Sequence, residues 1–166
     1  MPVTPFHFGV GVLAKGVVPR ALSVSAFVAS QVVIDLESAY YLLVVREWPV
    51  HRWMHTFVFG SLVGMLAGAA TWALAARALR ARWASLLPTE RGLVPCLVGG
   101  LAGGLTHTLL DGIMHADVRP FMPFAGQNPL LGMVEVGALH LLCVVAGIGG
   151  LALLGIRAGL SDGEGR

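Results

Sequence analysis

The sequence predicts an all-α protein, a polytopic membrane helix bundle with four transmembrane helices and a short N-terminal re-entrant or interfacial helix. Two observations predict this fold: the composition and the lengths of the apolar segments. Of the 166 residues, 56% are hydrophobic and only 12% are charged, and the mean hydropathy is +0.78. Soluble domains have about 25% charged residues. Since so few charges cannot cover a water-facing surface, we expect lipid to be the solvent.

The apolar residues form five segments, which span residues 6–18, 21–45, 55–79, 93–115 and 131–156. A transmembrane helix needs about 20 apolar residues. The first segment is therefore too short to span a membrane, and the other four are long enough. Prolines fall between the segments or at their starts, where helices tolerate them. We predict one membrane-embedded helical domain over residues 1–160 and a disordered tail over residues 161–166.

Arginine residues predict the orientation of the bundle. The loop after the third apolar segment carries the most basic residues, which are Arg77, Arg80, Arg82 and Arg91. Cytoplasmic loops carry an excess of Lys and Arg, so we expect the basic loop of residues 77–91 to be cytoplasmic. The loops of residues 46–54 and 116–130 then lie on the outer side. The net charge of +2 is too small to predict a nucleic-acid partner.

Ionisable side chains occur within these apolar segments, where burying a charge costs a few kcal/mol. Asp35 lies 14 residues after the start of the second segment, and His107 lies 14 residues after the start of the fourth. Asp111 follows His107 by one helical turn, so both side chains share one face of a helix. His55 opens the third segment, and His7 lies at the start of the first. All five residues are therefore expected at a similar depth.

Imidazole and carboxylate groups at one depth predict a shared metal ion. They are the ligands that suit zinc or a similar divalent cation, and the cation offsets the cost of burying the carboxylates. The predicted metal ligands are His7, Asp35, His55, His107 and Asp111. The alternative is structural, because a buried histidine can simply hydrogen-bond a neighbouring carbonyl, and His107 can pair with Asp111 within one helix.

Other polar residues are assigned less directly. Glu37 lies about 200° around a helix from Asp35, so the two carboxylates do not face the same way. We interpret Glu37 either as a group that supports the site from a locally unwound turn or as a partner for Arg52. His51 and Arg52 lie beside Pro49 in a loop. They are either solvated at the membrane surface or hold an anionic substrate group.

Several residues and motifs predict no additional site. Glu135 and His140 are five residues apart and point in different directions on a helix. Cys96 and Cys143 each lie within an apolar segment, which is typical of small buried hydrophobic residues. The sequence contains no G-x-S-x-G, no H-E-x-x-H and no phosphate-binding glycine loop. No hydrolase motif of those classes therefore competes with the predicted metal site.

Short motifs follow one another from residue 4 to about residue 125. They read TPFHFG at 4–9, IDLE at 34–37, HRWMHT at 51–56, THTLLD at 106–111 and PFMPF at 120–124. Together they resemble the YdjM-like family, whose members are described as LexA-binding, inner-membrane-bound, metal-dependent hydrolases. The resemblance implies a bacterial-type inner (cytoplasmic) membrane. We identify no motif for LexA binding in this sequence.

That family is in turn similar to zinc-dependent phospholipase C and its nuclease relatives. Their ligands follow the order His, Asp, His and then His-x-x-x-Asp on one helix. The resemblance implies that one metal ion is surrounded by Asp35, His55, His107 and Asp111. It also implies that Asp111 bridges to a second metal ion held by His7.

This sequence departs from the family pattern at the acidic pair. Ile34 stands where the family usually has proline, and Glu37 stands where it has a second Asp. The soluble relatives use further ligands for a third metal ion, and His115 is the one nearby candidate here. We therefore expect one or two ions, with zinc as the expected metal.

The leading hypothesis is a membrane-bound, metal-dependent hydrolase that cleaves phosphoesters such as lipid headgroups with a metal-activated water. Membrane lipid is then the expected partner, as a substrate, and the loop of residues 118–127 is expected to admit it. In this hypothesis Asp35 or Glu37 acts as the base, and Arg52 or His51 holds the phosphate. The alternative is a non-enzymatic membrane protein that binds metal or transports an ion. A proline-broken helix beside the site would favour transport.

Overall fold

A computed structural model describes residues 5–78 and 92–164, and within these ranges the protein is a bundle of α-helices. The helices are α1 (Phe8–Val17), α2 (Val24–Tyr40), α3 (Phe57–Ala78), α4 (Leu93–Met114) and α5 (Val136–Glu164). A π-helical turn, Tyr41–Val45, continues α2, and 3-10 turns at Pro5–His7 and Trp53–His55 precede α1 and α3. Four helices are long and apolar enough to cross a membrane: Val24–Val45, Phe57–Arg77, Leu93–Met114 and Val136–Leu160. The predicted fold class is confirmed.

Local sequence explains where α2 begins and ends. Ser23 is its N-cap, and the Ser23 hydroxyl accepts a hydrogen bond from the Ala26 backbone N–H at 3.1 Å. At the other end, the π-helical turn closes at Arg46, which has a left-handed backbone with φ of 59°. The chain then turns into the loop that leads to His55.

Glycine residues bring α3 and α4 into backbone contact. A Cβ atom on Gly64 would lie 2.2 Å from the Gly100 carbonyl oxygen, and one on Gly104 would lie 2.1 Å from the Gly60 carbonyl oxygen. Only glycine fits at these positions, because any side chain would overlap a backbone atom. Small residues at four-residue spacing give this close approach in lipid. The contact holds α4, which carries two predicted ligands, directly against the helix that follows His55.

The short helix α1 packs along α5. A Cβ atom on Gly9 would lie 2.0 Å from the Cys143 carbonyl oxygen, so the two helices meet without intervening side chains there. At the far end of α1, Arg157 donates to the Val17 carbonyl at 3.3 Å, and Lys15 donates to the Leu22 carbonyl at 2.8 Å. With 10 residues, α1 is too short to span a membrane. It reaches from the basic end of the bundle to His7 in the interior.

Burial is distributed as expected for a bundle in lipid. Large apolar side chains on α5 are exposed, for example Leu142, Ile148 and Leu151. The buried positions described include polar and charged groups such as Asp35 and His107. Polar groups inside and apolar groups outside are the arrangement that a hydrocarbon solvent favours.

Two sequence predictions concern regions at the edge of the described structure. Helix α5 continues to Glu164, so most of the segment predicted as a disordered tail, residues 161–166, is helical; the backbone simply carries the α5 hydrogen-bond ladder past Leu160.

Most of the predicted cytoplasmic loop, residues 79–91, lies outside the described residues. Arg77 at the end of α3 is described and exposed.

The glycine contact predicts a specific loss of stability in Gly100→Ala. A Cβ atom there would lie 2.0 Å from the Gly64 carbonyl oxygen, so α3 and α4 must move apart. Overpacking of this kind costs about 1–3 kcal/mol. We expect a lower thermal unfolding midpoint for the detergent-purified variant than for the parent protein.

Gly149→Ala on α5 is the matched control, because a Cβ atom there would meet nothing within 4 Å. Alanine is favoured over glycine in a helix by about 0.8–1.0 kcal/mol, so this variant should unfold at the same or a higher temperature. Equal destabilisation by both substitutions would contradict the proposed contact.

Candidate metal centre

Three elements bring four polar residues to one point inside the bundle. Asp35 comes from α2, His55 from the 3-10 turn before α3, and His107 with Asp111 from one face of α4. All four side chains are buried, and each contributes a ligand atom that lies within 4.8 Å of the others. We call these four residues the metal cluster. The structure thus brings together four residues that are distant in sequence.

Three of the four distances between histidine nitrogens and aspartate oxygens in the metal cluster lie near the edge length of a coordination tetrahedron, and the fourth is longer. His107 Nε2 lies 3.4 Å from Asp35 Oδ1 and 3.2 Å from Asp111 Oδ2. His55 Nε2 lies 3.9 Å and 3.5 Å from the same two oxygen atoms. Ligand atoms about 2.0–2.1 Å from a tetrahedral zinc are about 3.3–3.4 Å apart. The geometry therefore fits a zinc-sized cation between two imidazoles and two carboxylates.

Hydrogen bonds outside the metal cluster orient both imidazoles. His107 Nδ1 bonds the Oε1 atom of Gln31, and His55 Nδ1 bonds Oε2 of Glu37 at 3.3 Å. When Nδ1 carries the proton, the Nε2 lone pair is free, and this is the usual arrangement of a metal-binding histidine. Among the described residues, both Nε2 atoms are buried without a hydrogen-bond partner. Buried nitrogen atoms are rarely left so, and a cation would satisfy them.

Glu37 positions His55 through the backbone as well as through the ring. Its carboxylate accepts hydrogen bonds from the backbone N–H groups of Arg52, Trp53 and Met54 at 3.2, 3.1 and 2.9 Å. Of the two interpretations of Glu37, the supporting role agrees with these contacts, although α2 stays α-helical at this point and does not unwind. Glu37 is a partner of Arg52 only through the Arg52 backbone. Its occupied oxygens favour a positioning role, while the predicted role as base stays a prediction.

The pKa of His55 reflects the negative charge of the carboxylates around it. Burial lowers the pKa of His55, but the neighbouring carboxylates of Asp35 and Glu37 outweigh burial, and the net shift is upward. A raised histidine pKa means that the surroundings favour positive charge. A divalent cation would take the place of that proton and be stabilised by the same carboxylates.

His7 and His115 lie beside the other oxygen of Asp111. His7 Nε2 is 3.6 Å and His115 Nε2 is 4.0 Å from Asp111 Oδ1. Neither ring nitrogen of His7 has a hydrogen-bond partner within the described residues. Burial lowers the pKa of His7 to about 4, although the Asp111 carboxylate opposes the shift. His7 is therefore neutral at pH 7 and able to bind a cation on this side of Asp111.

His51 forms a buried pair with Asp117. His51 Nδ1 lies 2.9 Å from Asp117 Oδ1, and Asp117 Oδ2 also accepts from the backbone N–H groups of Val50 and His51. The His51 ring stacks on His115 and meets His55 edge-on, with centroid separations of 4.5 and 4.6 Å. Of the two predictions for His51, a solvated surface residue is wrong, because the local turn buries the ring against these neighbours. Together His51, His115 and Asp117 form a second group with metal-binding spacing.

Arg52 is partly buried and held by its own loop. Its Nε donates to the Pro49 carbonyl at 2.9 Å, and a terminal nitrogen lies 3.4 Å from Glu47 Oε2. The guanidinium sits over the Tyr41 ring, with 3.7 Å between Cζ and the ring centroid. These contacts fix the Arg52 side chain near His51.

Sequence reasoning missed two residues of the site, Gln31 and Asp117. Gln31 precedes Asp35 by one helical turn, and a neutral amide inside an apolar helix was a signal that it needs buried partners. Glu135 and His140 are not part of the metal cluster. Glu135 is exposed and accepts from the Ala138 N–H at 2.8 Å, and His140 stacks on Phe6 at 4.5 Å.

The contact between Gln31 and His107 predicts the effect of Gln31→Leu. Leucine has a similar size but cannot hold the His107 Nδ1–H, so the ring loses its orientation. Loss of such a supporting contact typically lowers metal affinity about 10- to 100-fold. The measurement is zinc binding to purified protein in competition with a chelator.

Thr71→Val is the matched control for this experiment. It removes one side-chain hydrogen bond, from the Thr71 hydroxyl to the Ala67 carbonyl in α3, and leaves the metal cluster intact. Equal zinc affinity in the parent protein, Gln31→Leu and Thr71→Val would show that Gln31 does not position a ligand.

Comparison with known proteins gives no further guide to this site. No protein-family model, no curated protein and no solved structure matches the chain.

Proposed function

We propose that this protein is a membrane-bound, metal-dependent hydrolase of phosphoesters. The observation that carries the proposal is the metal cluster: two carboxylates and two imidazole Nε2 atoms at tetrahedral spacing within an apolar bundle. The resemblance of its motifs to the YdjM-like family supports the same assignment.

The cost of burying two carboxylates favours a bound cation over simple packing. A carboxylate in a low-dielectric interior costs several kcal/mol unless it is paired. Asp35 and Asp111 both face the histidine Nε2 atoms, and those atoms make no hydrogen bond within the described chain. One divalent cation would neutralise both carboxylates and use both lone pairs at once. Packing alone leaves the two Nε2 atoms without a hydrogen-bond partner beside the carboxylates.

Different residues of the chain would act as metal ligands and as the base in hydrolysis. A cation at this point would polarise the phosphoryl oxygen and lower the pKa of bound water to near 7. Asp35, His55, His107 and Asp111 would hold that cation. In the reaction the water oxygen forms a bond to phosphorus, the P–O bond to the alcohol breaks, and the proton released by water passes to a base. Asp35 is the proposed base.

The unbroken helices beside the metal cluster also favour hydrolysis over transport. Transporter sites are commonly lined by helices that are broken at the membrane midplane. The described part of α2 contains no proline, and Pro95 of α4 lies in its first turn, far from His107. Both helices run unbroken past the metal cluster, so they offer no unwound segment for an ion pathway.

We propose that the metal cluster faces the outer side of the membrane. Lys15, Arg20, Arg77 and Arg157 lie at the opposite end of the bundle, where α1 ends and α4 begins. Basic ends face the cytoplasm. A reporter that is active only in the cytoplasm is expected to be active when it is fused after Arg82. Activity only of a reporter that requires the outer side would reverse the orientation.

Metal content tests the metal cluster directly. Purified protein is expected to contain zinc or a similar divalent metal, and the double variant His107→Ala/Asp111→Ala is expected to lose it, since two of four ligands are gone. The measurement is elemental analysis of monodisperse, detergent-purified protein. His140→Ala is the matched control, because His140 stacks on Phe6 outside the metal cluster, and it should keep the metal.

Asp35→Asn tests the hydrolase itself. The amide is isosteric but neutral, so it binds a cation weakly and cannot accept the proton from water. We expect phosphoesterase activity to fall by at least about 100-fold, with an unchanged elution profile and helical circular dichroism. Full activity in Asp35→Asn would exclude Asp35 as ligand and base. A metal-loaded parent protein without phosphoesterase activity would leave a metal-binding membrane protein.

A further inference from the structure

Beside the metal cluster lies a cavity of about 250 Å³ at the outer-loop end of the bundle. Its walls include His51, Arg52, Trp53, Asp117, Arg119 and Met122. We propose that this cavity binds a small phosphate-bearing anion, the headgroup of an anionic phospholipid, and that Arg52 and Arg119 recognise its phosphate. This inference rests on the proposed function and gives that function a substrate class. Arg119 is thereby assigned a role in binding.

The charge of the cavity favours an anion. Two arginines line it, and the lining aspartate, Asp117, already accepts hydrogen bonds from His51 and from two backbone N–H groups. Arg119 is exposed and forms no ion pair within the part of the chain that the structure describes. An unpaired arginine facing a cavity is suited to a phosphate, whose oxygens match the guanidinium fork.

Arg52 is already placed for binding. The Pro49 carbonyl and the Tyr41 ring fix its guanidinium, so little side-chain entropy is lost when an anion binds. Its exposed contact with Glu47, at 3.4 Å, is long and weak. A phosphate entering the cavity would offer this arginine a second, stronger partner.

Size and surroundings favour a lipid headgroup over a nucleotide. Pockets for drug-sized ligands usually measure about 300–1,000 Å³, so a cavity of about 250 Å³ suits a smaller group, such as a lipid headgroup. Exposed aromatic side chains occur in the loops that form it: Trp53 in its wall is 51% exposed, and Phe121 and Phe124, which follow Arg119 in the chain, are 38% and 86% exposed. Exposed aromatic rings at a bundle end are typical of the membrane–water interface. Acyl chains can therefore remain in the bilayer while the headgroup enters the cavity.

The cavity also adjoins the metal cluster. His51 forms part of its wall, and the same ring lies 4.6 Å from the His55 ring, centroid to centroid. Thr56, which follows His55 in the chain, lines the cavity as well. A phosphate held by the two arginines is consequently a neighbour of the cation that would act on it.

The test is binding of dihexanoyl phosphatidic acid to the full-length, chelator-treated protein in detergent, measured by calorimetry. Treatment with chelator separates binding from hydrolysis. We expect about 10- to 100-fold weaker binding for Arg119→Ala and for Arg52→Ala, the usual effect of losing a charge-assisted hydrogen bond. Arg119→Lys should retain part of the affinity. Arg20→Ala is the matched control, because Arg20 lines a different cavity at the basic end, and it should bind as the parent does.

Two further probes identify the ligand. Dihexanoylglycerol, which lacks phosphate, should not bind, and equal binding would overturn the proposed phosphate recognition. Soluble glycerol 3-phosphate should bind more weakly than the lipid, and equal affinity would overturn the membrane source.

The outcomes also separate this inference from the proposed function. Arginine-dependent lipid binding by a protein without hydrolase activity supports the cavity and rejects the enzyme. Unchanged lipid affinity in the double variant Arg52→Ala/Arg119→Ala, in a protein that still hydrolyses phosphoesters, rejects the cavity and keeps the enzyme.

Discussion

The fold depends on how two carboxylates, Asp35 and Asp111, are accommodated inside a bundle whose solvent is lipid. Their oxygens face the Nε2 atoms of His55 and His107 at 3.2–3.9 Å, and no described hydrogen bond satisfies those nitrogens. A low dielectric makes any uncompensated charge here expensive. The surrounding structure therefore serves to bring these groups together and hold them: glycine contacts press α3 onto α4, Gln31 and Glu37 turn the imidazoles, and α1 supplies His7.

The arrangement also explains why further polar groups surround the two imidazoles. Each imidazole is fixed by one contact, Gln31 for His107 and Glu37 for His55. Glu37 additionally ties down three consecutive backbone N–H groups of the loop before His55. A loop that carries a ligand is otherwise less precise than a helix. Here the loop is held to α2, so His55 is positioned nearly as firmly as residues on the helices themselves.

Much of this could be predicted from the sequence, for physical reasons that differ by region. Apolar length gave the four spans, and the one-turn spacing of His107 and Asp111 gave a shared face. The cost of burying charge singled out Asp35. The partners of these residues were harder to predict, because the cost of burial identifies only ionisable groups inside the membrane spans. Gln31 is neutral, and Asp117 lies in a loop where a carboxylate costs little; its bond with His51 joins residues 66 positions apart. Such contacts follow from how helices pack, which local sequence does not encode.

The pairing of α1 with α5 has a consequence for biogenesis. Chains emerge from the ribosome N-terminus first, so the 10-residue α1 is made early, while its main packing surface is synthesised last. Until α5 enters the bilayer, α1 has only its smaller contacts with α2 and α4, such as that between Gly11 and Phe27. We therefore expect α1 to pack fully, with His7 beside Asp111, only after α5 is in place.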